Sequence, residues 1–242
     1  MTTEKRNMTV SGVPVAVVRK AIKNLHLGVY PPDGRVRVAV PLRISDAAVR
    51  VAVIGKLRWI RRQQAAFSDQ ARQGEREMVD GETHFYLGRR YRLRVVERAG
   101  TAKVSVRGRA VLELGVPEGS NAERRDRALQ RFYRERLREL IPPLLEKWQP
   151  TLGVEVADWG IKRMKTRWGT CNAQARRIWL NLELAKKPPE CLEYILVHEL
   201  MHLIVRQHDE RFHGLMDRYL PHWKHTRRLL NAGPLAHEEW GY

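Results

Sequence analysis

Residues 188–203 read PPECLEYILVHELMHL, and this stretch decides the fold of the C-terminal part of the chain. Its prolines open a predicted helix, along which Leu192 and Ile195 supply apolar side chains at helical spacing. The helix includes an H-E-x-x-H pattern from His198 to His202. Residues four apart on a helix differ by about 400°, so the two imidazoles lie on one face. Two imidazoles placed in this way can bind one tetrahedral zinc ion at about 2.0–2.1 Å.

Glu199 follows the first of these histidines and lies about 60° from His202 around the predicted helix. Its carboxylate is then near enough to act on a water molecule without ligating the metal. The alternative is a surface helix with two unrelated histidines. Leu200 and Met201 disfavour it, because a buried His-Glu-His group without a metal leaves polar groups unsatisfied. The pattern therefore predicts a catalytic metal site.

A catalytic zinc site needs a third protein ligand and keeps one position open. His208 stands six residues after His202, directly before Asp209. Asp209 is predicted to cap a last helix over about residues 210–219, which leaves His208 in a loop that can turn back. His213 is the rival candidate, one turn inside that helix. The residues alone leave both candidates open.

The first half of the chain reads mainly as strands. Apolar residues alternate over 25–29 and 36–40, and Pro31-Pro32-Asp33-Gly34 between them predicts a hairpin. Ser45 can cap a helix from about Asp46 to Ala71. Further strand-like runs occupy residues 83–96, 102–106 and 110–116.

A second long helix is predicted from the capping box Ser120-Asn121-Ala122-Glu123 until Pro142-Pro143 kinks or ends it. Two more strands are expected near 153–164 and 176–182, with a loop over 167–172 between them. No internal repeat is visible in the sequence. The pattern predicts an α+β fold, in which a β-rich N-terminal region leads into a compact part whose helices carry the histidines.

Composition narrows the class of protein. The 242 residues are 43% hydrophobic and 30% charged, which is ordinary for a globular protein with a real core and excludes wholesale disorder. No apolar run approaches the ~20 residues of a membrane span, and no signal peptide is visible. The chain has two cysteines, Cys171 and Cys191, which is typical of a reducing compartment. We expect a cytoplasmic protein with no membrane contact.

The charge of the chain is unevenly distributed. The formal net charge is +18, and residues 1–150 hold 31 basic against 16 acidic side chains. This basic N-terminal half could bind nucleic acid, nucleotide phosphates or an anionic surface. The alternative is a solvated face, because the charges are spread through every segment and not gathered in one tract.

The motifs resemble those of a known family. His198–Leu203 followed by His208–Phe212 is similar to the YgjP-like zinc metallopeptidases, a group related to the SprT-like enzymes. The resemblance extends upstream, to Lys165-Thr166-Arg167-Trp168-Gly169-Thr170-Cys171, to Arg177–Leu184, to Lys56–Ile60 and to Tyr86–Tyr91. This sequence differs from the family in carrying threonine for serine at 166 and 170, and histidine at 213 where tryptophan is common.

The resemblance implies a minimal zincin-type metallopeptidase domain with an H-E-x-x-H active-site helix, over residues 119–242, after a β-rich region over 1–118. It implies one Zn²⁺ ion, peptide-bond hydrolysis and a peptide or protein substrate. The implied ligands are His198, His202 and His208, and the implied general base is Glu199. The implied substrate cleft includes Trp168, Gly169, Thr170 and Asn181, although Trp168-Gly169 could also be a tight turn, and Asn181 could simply end its strand.

Two other functions stay open from the sequence. Members of the family are also described as nucleotide pyrophosphatases acting on UTP, and a divalent metal with arginines suits phosphate chemistry. No P-loop is present to bind a triphosphate. The second alternative is a nucleic-acid-associated protease or binding protein that docks through the basic half. No zinc ribbon accompanies it, because the two cysteines stand 20 residues apart.

Overall fold

The computed structural model describes residues 4–30, 34–69, 76–164 and 167–232. These residues divide into two compact units, one before residue 70 and one over 76–232. The turn residues 31–33, the end of the first predicted helix after Asp69, and Lys165-Thr166 of the family motif lie outside the described residues.

The first unit is a four-stranded sheet followed by two helices. The strands are β1 (Glu4–Val10), β2 (Val13–Lys20), β3 (His26–Tyr30) and β4 (Arg35–Pro41), and the helices are α1 (Asp46–Gly55) and α2 (Leu57–Asp69). The strand order is β1-β2-β4-β3, with β2 and β4 parallel and the other pairs antiparallel. Strand alternation buries Val36, Val38 and Val40 in one core with Val49 and Val53 of α1.

The single helix predicted over 46–71 is two helices in the structure. Ser45 caps α1 as predicted, since its Oγ accepts a hydrogen bond from the Ala48 amide at 3.2 Å. The helix then stops at Gly55, a weak helix former, and Lys56 leaves the helical conformation with φ −109° and ψ 7°. Lys56 therefore interrupts the helix, and α2 begins after it at Leu57.

The second unit begins with a four-stranded sheet of the same topology. Its strands are β5 (Thr83–Tyr86), β6 (Arg89–Glu97), β7 (Lys103–Arg107) and β8 (Val111–Val116), followed by α3 (Ala122–Leu152). The strand order is β5-β6-β8-β7, again with one parallel pair in the middle, β6 and β8. The two sheets therefore share strand order and strand directions.

Each sheet and the helices that follow it form what we call a module: β1–β4 with α1 and α2, and β5–β8 with α3. The two modules also share local features. Each first hairpin has a two-residue turn with both φ angles positive, Ser11-Gly12 and Leu87-Gly88, as a type I′ turn requires. Each following helix begins after a side-chain N-cap, Ser45 and Asn121. The turns and the caps are each 76 residues apart. The structure therefore repeats one sheet topology, although no repeat is visible in the sequence.

Helix α3 differs from its prediction at both ends. Its N-cap is Asn121, whose side chain accepts from the Arg124 amide at 3.0 Å, whereas Ser120 donates to the Pro117 carbonyl. Pro142 and Pro143 do not end the helix, which continues to Leu152. One face is buried along the whole length of α3 and offsets the missing amide donors. This face consists of Leu129, Phe132, Tyr133, Leu137, Ile141, Leu145, Trp148 and Leu152.

The remaining elements carry the candidate site. They are β9 (Asp158–Lys162), β10 (Gly169–Asn172), β11 (Arg177–Asn181), α4 (Pro189–Met201), α5 (Glu210–Tyr219) and α6 (Trp223–Ala232). The three strands form a sheet of order β10-β11-β9, in which β10 is antiparallel and β9 parallel to β11. Helix α3 is tied to α4, because Glu193 accepts hydrogen bonds from Lys147 at 2.7 Å and from Trp148 at 2.9 Å.

The structure is a mixed fold with a β-rich N-terminal region and most helices later in the chain, as expected. The functional division between 1–118 and 119–242 stays a prediction. The compact units divide elsewhere, because residues of β6–β8 share one core with α3 and α4. Among the described residues, no helix is both long and apolar enough to cross a membrane.

Candidate metal centre and active site

Three histidines come together at the end of α4. One ring nitrogen from each of His198, His202 and His208 lies within 4.8 Å of the others, and Nε2 of His198 is 3.0 Å from Nε2 of His208. Helix α4 ends at Met201, and His202 is its C-cap. Both histidines of the motif still project to the same side, because the C-cap keeps right-handed helical angles.

The segment after α4 turns sharply and returns His208 to the cluster. The amide of Val205 donates to the Met201 carbonyl at 2.8 Å, and the Val205 side chain is buried. The Val205 carbonyl lies 3.1 Å from Nδ1 of His202. This contact leaves Nε2 of His202 free for a metal and orients the ring.

The Phe212 ring packs against the histidine cluster. Asp209 caps α5 as predicted, accepting from the Phe212 amide at 2.9 Å. The buried Phe212 ring has its centroid 5.0 Å from that of His202 and 4.7 Å from that of His208. The apolar ring therefore fixes the positions of both imidazoles without competing for a ligand.

His213, the rival candidate, packs against helix α6. Its ring stacks on Trp223 of α6, with centroids 5.8 Å apart and an interplanar angle of 8°. The metal-capable group among the described residues contains His208 and not His213. The turn after α4 therefore brings His208, and not His213, next to His198 and His202.

The donor set fits a zinc ion. Bonds of about 2.05 Å at a tetrahedral angle place two ligand nitrogens about 3.3 Å apart, close to the 3.0 Å between His198 and His208. Burial, followed by the charges of His202 and His208, lowers the pKa of His198 to about 3. The ring is therefore neutral, the form that binds a metal.

Glu199 is buried beside the cluster, with 5% of its surface exposed. Burial raises the pKa of its carboxyl to about 8, and the positive charge of Arg167 acts in the opposite direction. The carboxylate packs on the backbone of Gly169 in β10. A Cβ at that position would lie 2.5 Å from Oε1 and 2.7 Å from Cγ of Glu199. Only glycine leaves the carboxylate its place.

An open cleft joins these groups. Trp168, Gly169 and Thr170 line it together with Glu199 and the three histidines. The structure thus brings three of the four cleft residues expected from the sequence next to the histidine cluster.

Asn181 is placed differently from the other cleft residues. It is buried at the end of β11 outside the cleft lining. Its amide donates to the carbonyls of Met164 and Arg167, both at 2.7 Å, and its Oδ1 accepts from the Glu183 amide at 3.2 Å. These bonds fit the interpretation of Asn181 as a strand-end residue, and they tie Met164 and Arg167 to the end of β11.

Helix α6 supplies cleft residues that the sequence analysis missed. Arg227, Leu230 and Asn231 line the cleft, as does Tyr194 of α4. The signal for α6 was the spacing of Trp223, Thr226 and Leu230, all buried. That segment is otherwise strongly polar, so its helical period is easily overlooked.

Three clustered imidazoles beside a buried carboxylate in an open cleft are typical of metal-dependent hydrolases. Residues 23–233 match the family model described as YgjP-like, metallopeptidase domain, and the chain belongs to this family. Membership implies a metal ion, which the histidine cluster could hold. No curated protein matches the chain significantly.

Proposed function

We propose that this chain is a zinc-dependent metallopeptidase that hydrolyses peptide bonds, with Glu199 as general base. The observation that carries the proposal is the buried Glu199 carboxylate, which lies beside three clustered imidazoles and opens onto a cleft. A merely structural carboxylate in such a place would be paired with a cation. In the described part of the chain, the Glu199 carboxylate makes no side-chain hydrogen bond and no ion pair.

His198, His202 and His208 would hold one Zn²⁺ ion. When bound, zinc supplies a Lewis acid that makes a water molecule more acidic and polarises a carbonyl group. Glu199 stands next in sequence to a ligand but points to β10, so it is free to accept a proton from water. It then gives the proton to the leaving amine.

The exposed edge of β10 is the proposed place for the peptide. β10 pairs with β11 on one side and is the edge strand of its sheet among the described residues. Gly169 and Thr170 belong to β10 and line the cleft. An extended peptide can add to this edge through main-chain hydrogen bonds, which give affinity with little choice of side chain. Unfolded proteins are therefore the expected substrates.

The first prediction tests the base. Zinc-loaded protein is expected to cleave labelled, unfolded casein, and Glu199→Gln is expected to lower kcat by about 10²–10⁴, because only proton transfer is removed. Glu190→Gln, an exposed position in the first turn of α4, is the control and should keep full activity. Zinc content is measured on all three proteins. If Glu199→Gln loses zinc together with activity, Glu199 is a ligand or a structural residue.

Nucleotide hydrolysis is the second candidate. Arg167, Arg206 and Arg227 line the cleft around a single carboxylate, and guanidinium groups suit phosphate oxygens. The same zinc-loaded protein is therefore incubated with UTP. Pyrophosphate release that depends on Glu199, without cleavage of casein, would favour this function over the peptidase.

A further inference from the structure

Lys187 has a buried ammonium group without a hydrogen-bond partner. It stands directly before Pro188, the N-cap of α4, and only 7% of its surface is exposed. Its Nζ is buried and forms no hydrogen bond with the residues that the structure describes. Burial lowers the pKa of this ammonium, because the charged form loses its water. A charge is kept inside a fold only when another interaction compensates for that loss.

The Trp168 ring supplies such an interaction. Nζ of Lys187 lies 5.4 Å from the centroid of the indole, within the distance of about 6 Å at which an aromatic ring attracts a cation. Tryptophan attracts cations more strongly than the other aromatic side chains, and the attraction increases where the cation is shielded from water. The ammonium and the indole therefore stabilise each other's position.

The backbone on both sides of Lys187 is constrained by the turn Leu87-Gly88. The two amides of this turn donate to the Ala185 carbonyl at 2.9 Å and to the Lys186 carbonyl at 3.1 Å. A Cβ on the glycine of the turn would lie 2.7 Å from Cγ of Pro188, so the turn packs closely on the segment. The Lys187 side chain therefore extends from a constrained segment to the indole.

Trp168 connects this buried group to the cleft. It is half-buried and lines the cleft directly before Gly169, whereas Lys187 is outside the cleft lining. The Trp168 carbonyl accepts a hydrogen bond from the Asn181 amide at 2.9 Å, which extends the pairing of β10 with β11 by one residue. The backbone of Trp168 is thus held by the end of β11, and its ring is held by Lys187.

We propose that Lys187 is a positioning residue that holds the Trp168 indole at the cleft, where the ring binds an apolar side chain of the peptide next to the scissile bond. The inference rests on the proposed peptidase function. Trp168 directly precedes β10, the strand to which the peptide is expected to add. Main-chain pairing does not distinguish side chains, so an apolar ring beside it supplies the choice. Folded proteins bury their apolar side chains, which favours unfolded chains as substrates.

The kinetic experiment uses a peptide that contains one casein bond cleaved by the zinc-loaded wild type, made with leucine or with serine beside that bond. Lys187→Met removes the charge and nearly keeps the length of the side chain. It is expected to raise KM for the leucine peptide by about tenfold, and to leave kcat for both peptides and KM for the serine peptide within about twofold of the wild type. Lys187→Arg keeps a cation and should restore most of the affinity for the leucine peptide. Lys103→Met, at an exposed position of β7, is the control and should match the wild type.

Two further measurements separate positioning from folding. Lys187→Met should unfold at a urea concentration no lower than the wild type, because an unpaired buried charge is replaced by an apolar side chain. Trp168→Ala should raise KM for the leucine peptide as Lys187→Met does, and the double variant should show no further rise, since the two residues act as a unit. A rise of KM that is equally large with and without Trp168, or a fall of kcat with both peptides, would overturn the role of Lys187.

A last readout needs no turnover. The protein is labelled with fluorotryptophan, and the fluorine NMR resonance that disappears in Trp168→Ala reports on this ring. Lys187→Met is expected to shift that resonance, whereas Lys103→Met is expected to leave it in place. An unchanged Trp168 resonance in Lys187→Met would overturn the positioning role, whatever the activity. Zinc-loaded wild type that cleaves no protein would overturn the peptidase function instead.

Discussion

Gly169 restricts the position of the Glu199 carboxylate. The carboxylate packs on the Gly169 backbone so closely that a Cβ would collide with it. The neighbouring Trp168 and Thr170 have side chains and Gly169 does not, which lets β10 lie against α4. The absence of a side chain at this position therefore leaves room for the Glu199 carboxylate.

Replacing Gly169 therefore tests the placement of the base. Gly169→Ala is expected to lower kcat by about tenfold or more while zinc is retained, because the new methyl group displaces the Glu199 carboxylate by a few tenths of an ångström or more. Gly214→Ala in α5 is the matched control, since a Cβ there meets nothing within 4 Å. It should keep full activity and raise stability by up to about 1 kcal/mol. Wild-type kcat for Gly169→Ala would contradict the proposed role of the contact.

The proposed third ligand gives a second prediction at the residue scale. His208→Ala should lose most of the zinc affinity, because the turn after α4 brings Nε2 of His208 close to Nε2 of His198. His213→Ala should bind zinc nearly normally and change activity modestly, since His213 stacks on Trp223. The metal content of the two purified variants decides between them. Zinc kept by the first and lost by the second would reverse the assignment.

These residues also show which parts of the candidate site can be predicted from the sequence. The relation of His198, Glu199 and His202 follows from helical spacing, which a sequence displays directly. The return of His208 depends on hydrogen bonds in the turn after Met201, and spacing does not encode their geometry. The place of Arg227 at the cleft depends on Trp223 of α6 packing against Tyr194 of α4, a contact between distant segments.

At the scale of elements, α3 shows packing overriding a local breaker. Pro143 lacks the amide that would bond to the Glu139 carbonyl, and its ring crowds that carbonyl. The helix continues because its buried face, from Leu137 to Trp148, packs in the core along its whole length. The sequence predicts a kink or an end here, since propensity is visible in it and tertiary packing is not.

The prolines of α3 lead to a prediction about stability. Pro143 is exposed, so Pro143→Ala removes the crowding without leaving a cavity, and the free energy of unfolding should rise by about 1–3 kcal/mol. The control is Glu146→Ala, exposed on the same helix, for which a change within about 0.5 kcal/mol is expected. Urea titrations followed by tryptophan fluorescence measure both. A less stable Pro143→Ala would mean that the proline ring contributes contacts of its own.

At the scale of the whole molecule, the chain repeats one sheet topology before the elements of the cleft. Two modules with one strand order precede the elements of the cleft, and the second module shares a core with α4. The repeat is hidden in the sequence because a half-buried strand requires only alternation. Val38 and Leu114 occupy equivalent buried positions in β4 and β8, and many apolar residues would satisfy either.

The excess of positive charge is also a property of the whole chain. Some of it is neutralised within the fold, where Glu113 lies 2.8 Å from Arg98 and 3.2 Å from Arg107, and Asp46 lies 2.8 Å from Arg6. Such exposed pairs contribute little to stability, but they reduce the charge that is offered to a partner. The positive charge that is not neutralised in this way is available to bind a nucleic acid.

The final prediction measures that surplus. If residues 1–150 dock on nucleic acid, the association constant for duplex DNA should fall linearly with salt on a double logarithmic scale, with a slope of about −0.9 per phosphate contacted. Fluorescence anisotropy of labelled DNA between about 0.05 and 0.2 M salt gives the slope, and an acidic protein of similar size serves as the control for non-specific signal. Replacing exposed arginines of α2, Arg58, Arg61 and Arg62, with glutamine should make the slope shallower if this helix supplies the contacts. Binding that is independent of salt, or no binding at about 0.15 M, would assign the charge to a solvated surface, because counterion release is the only driving force that a dispersed basic surface offers.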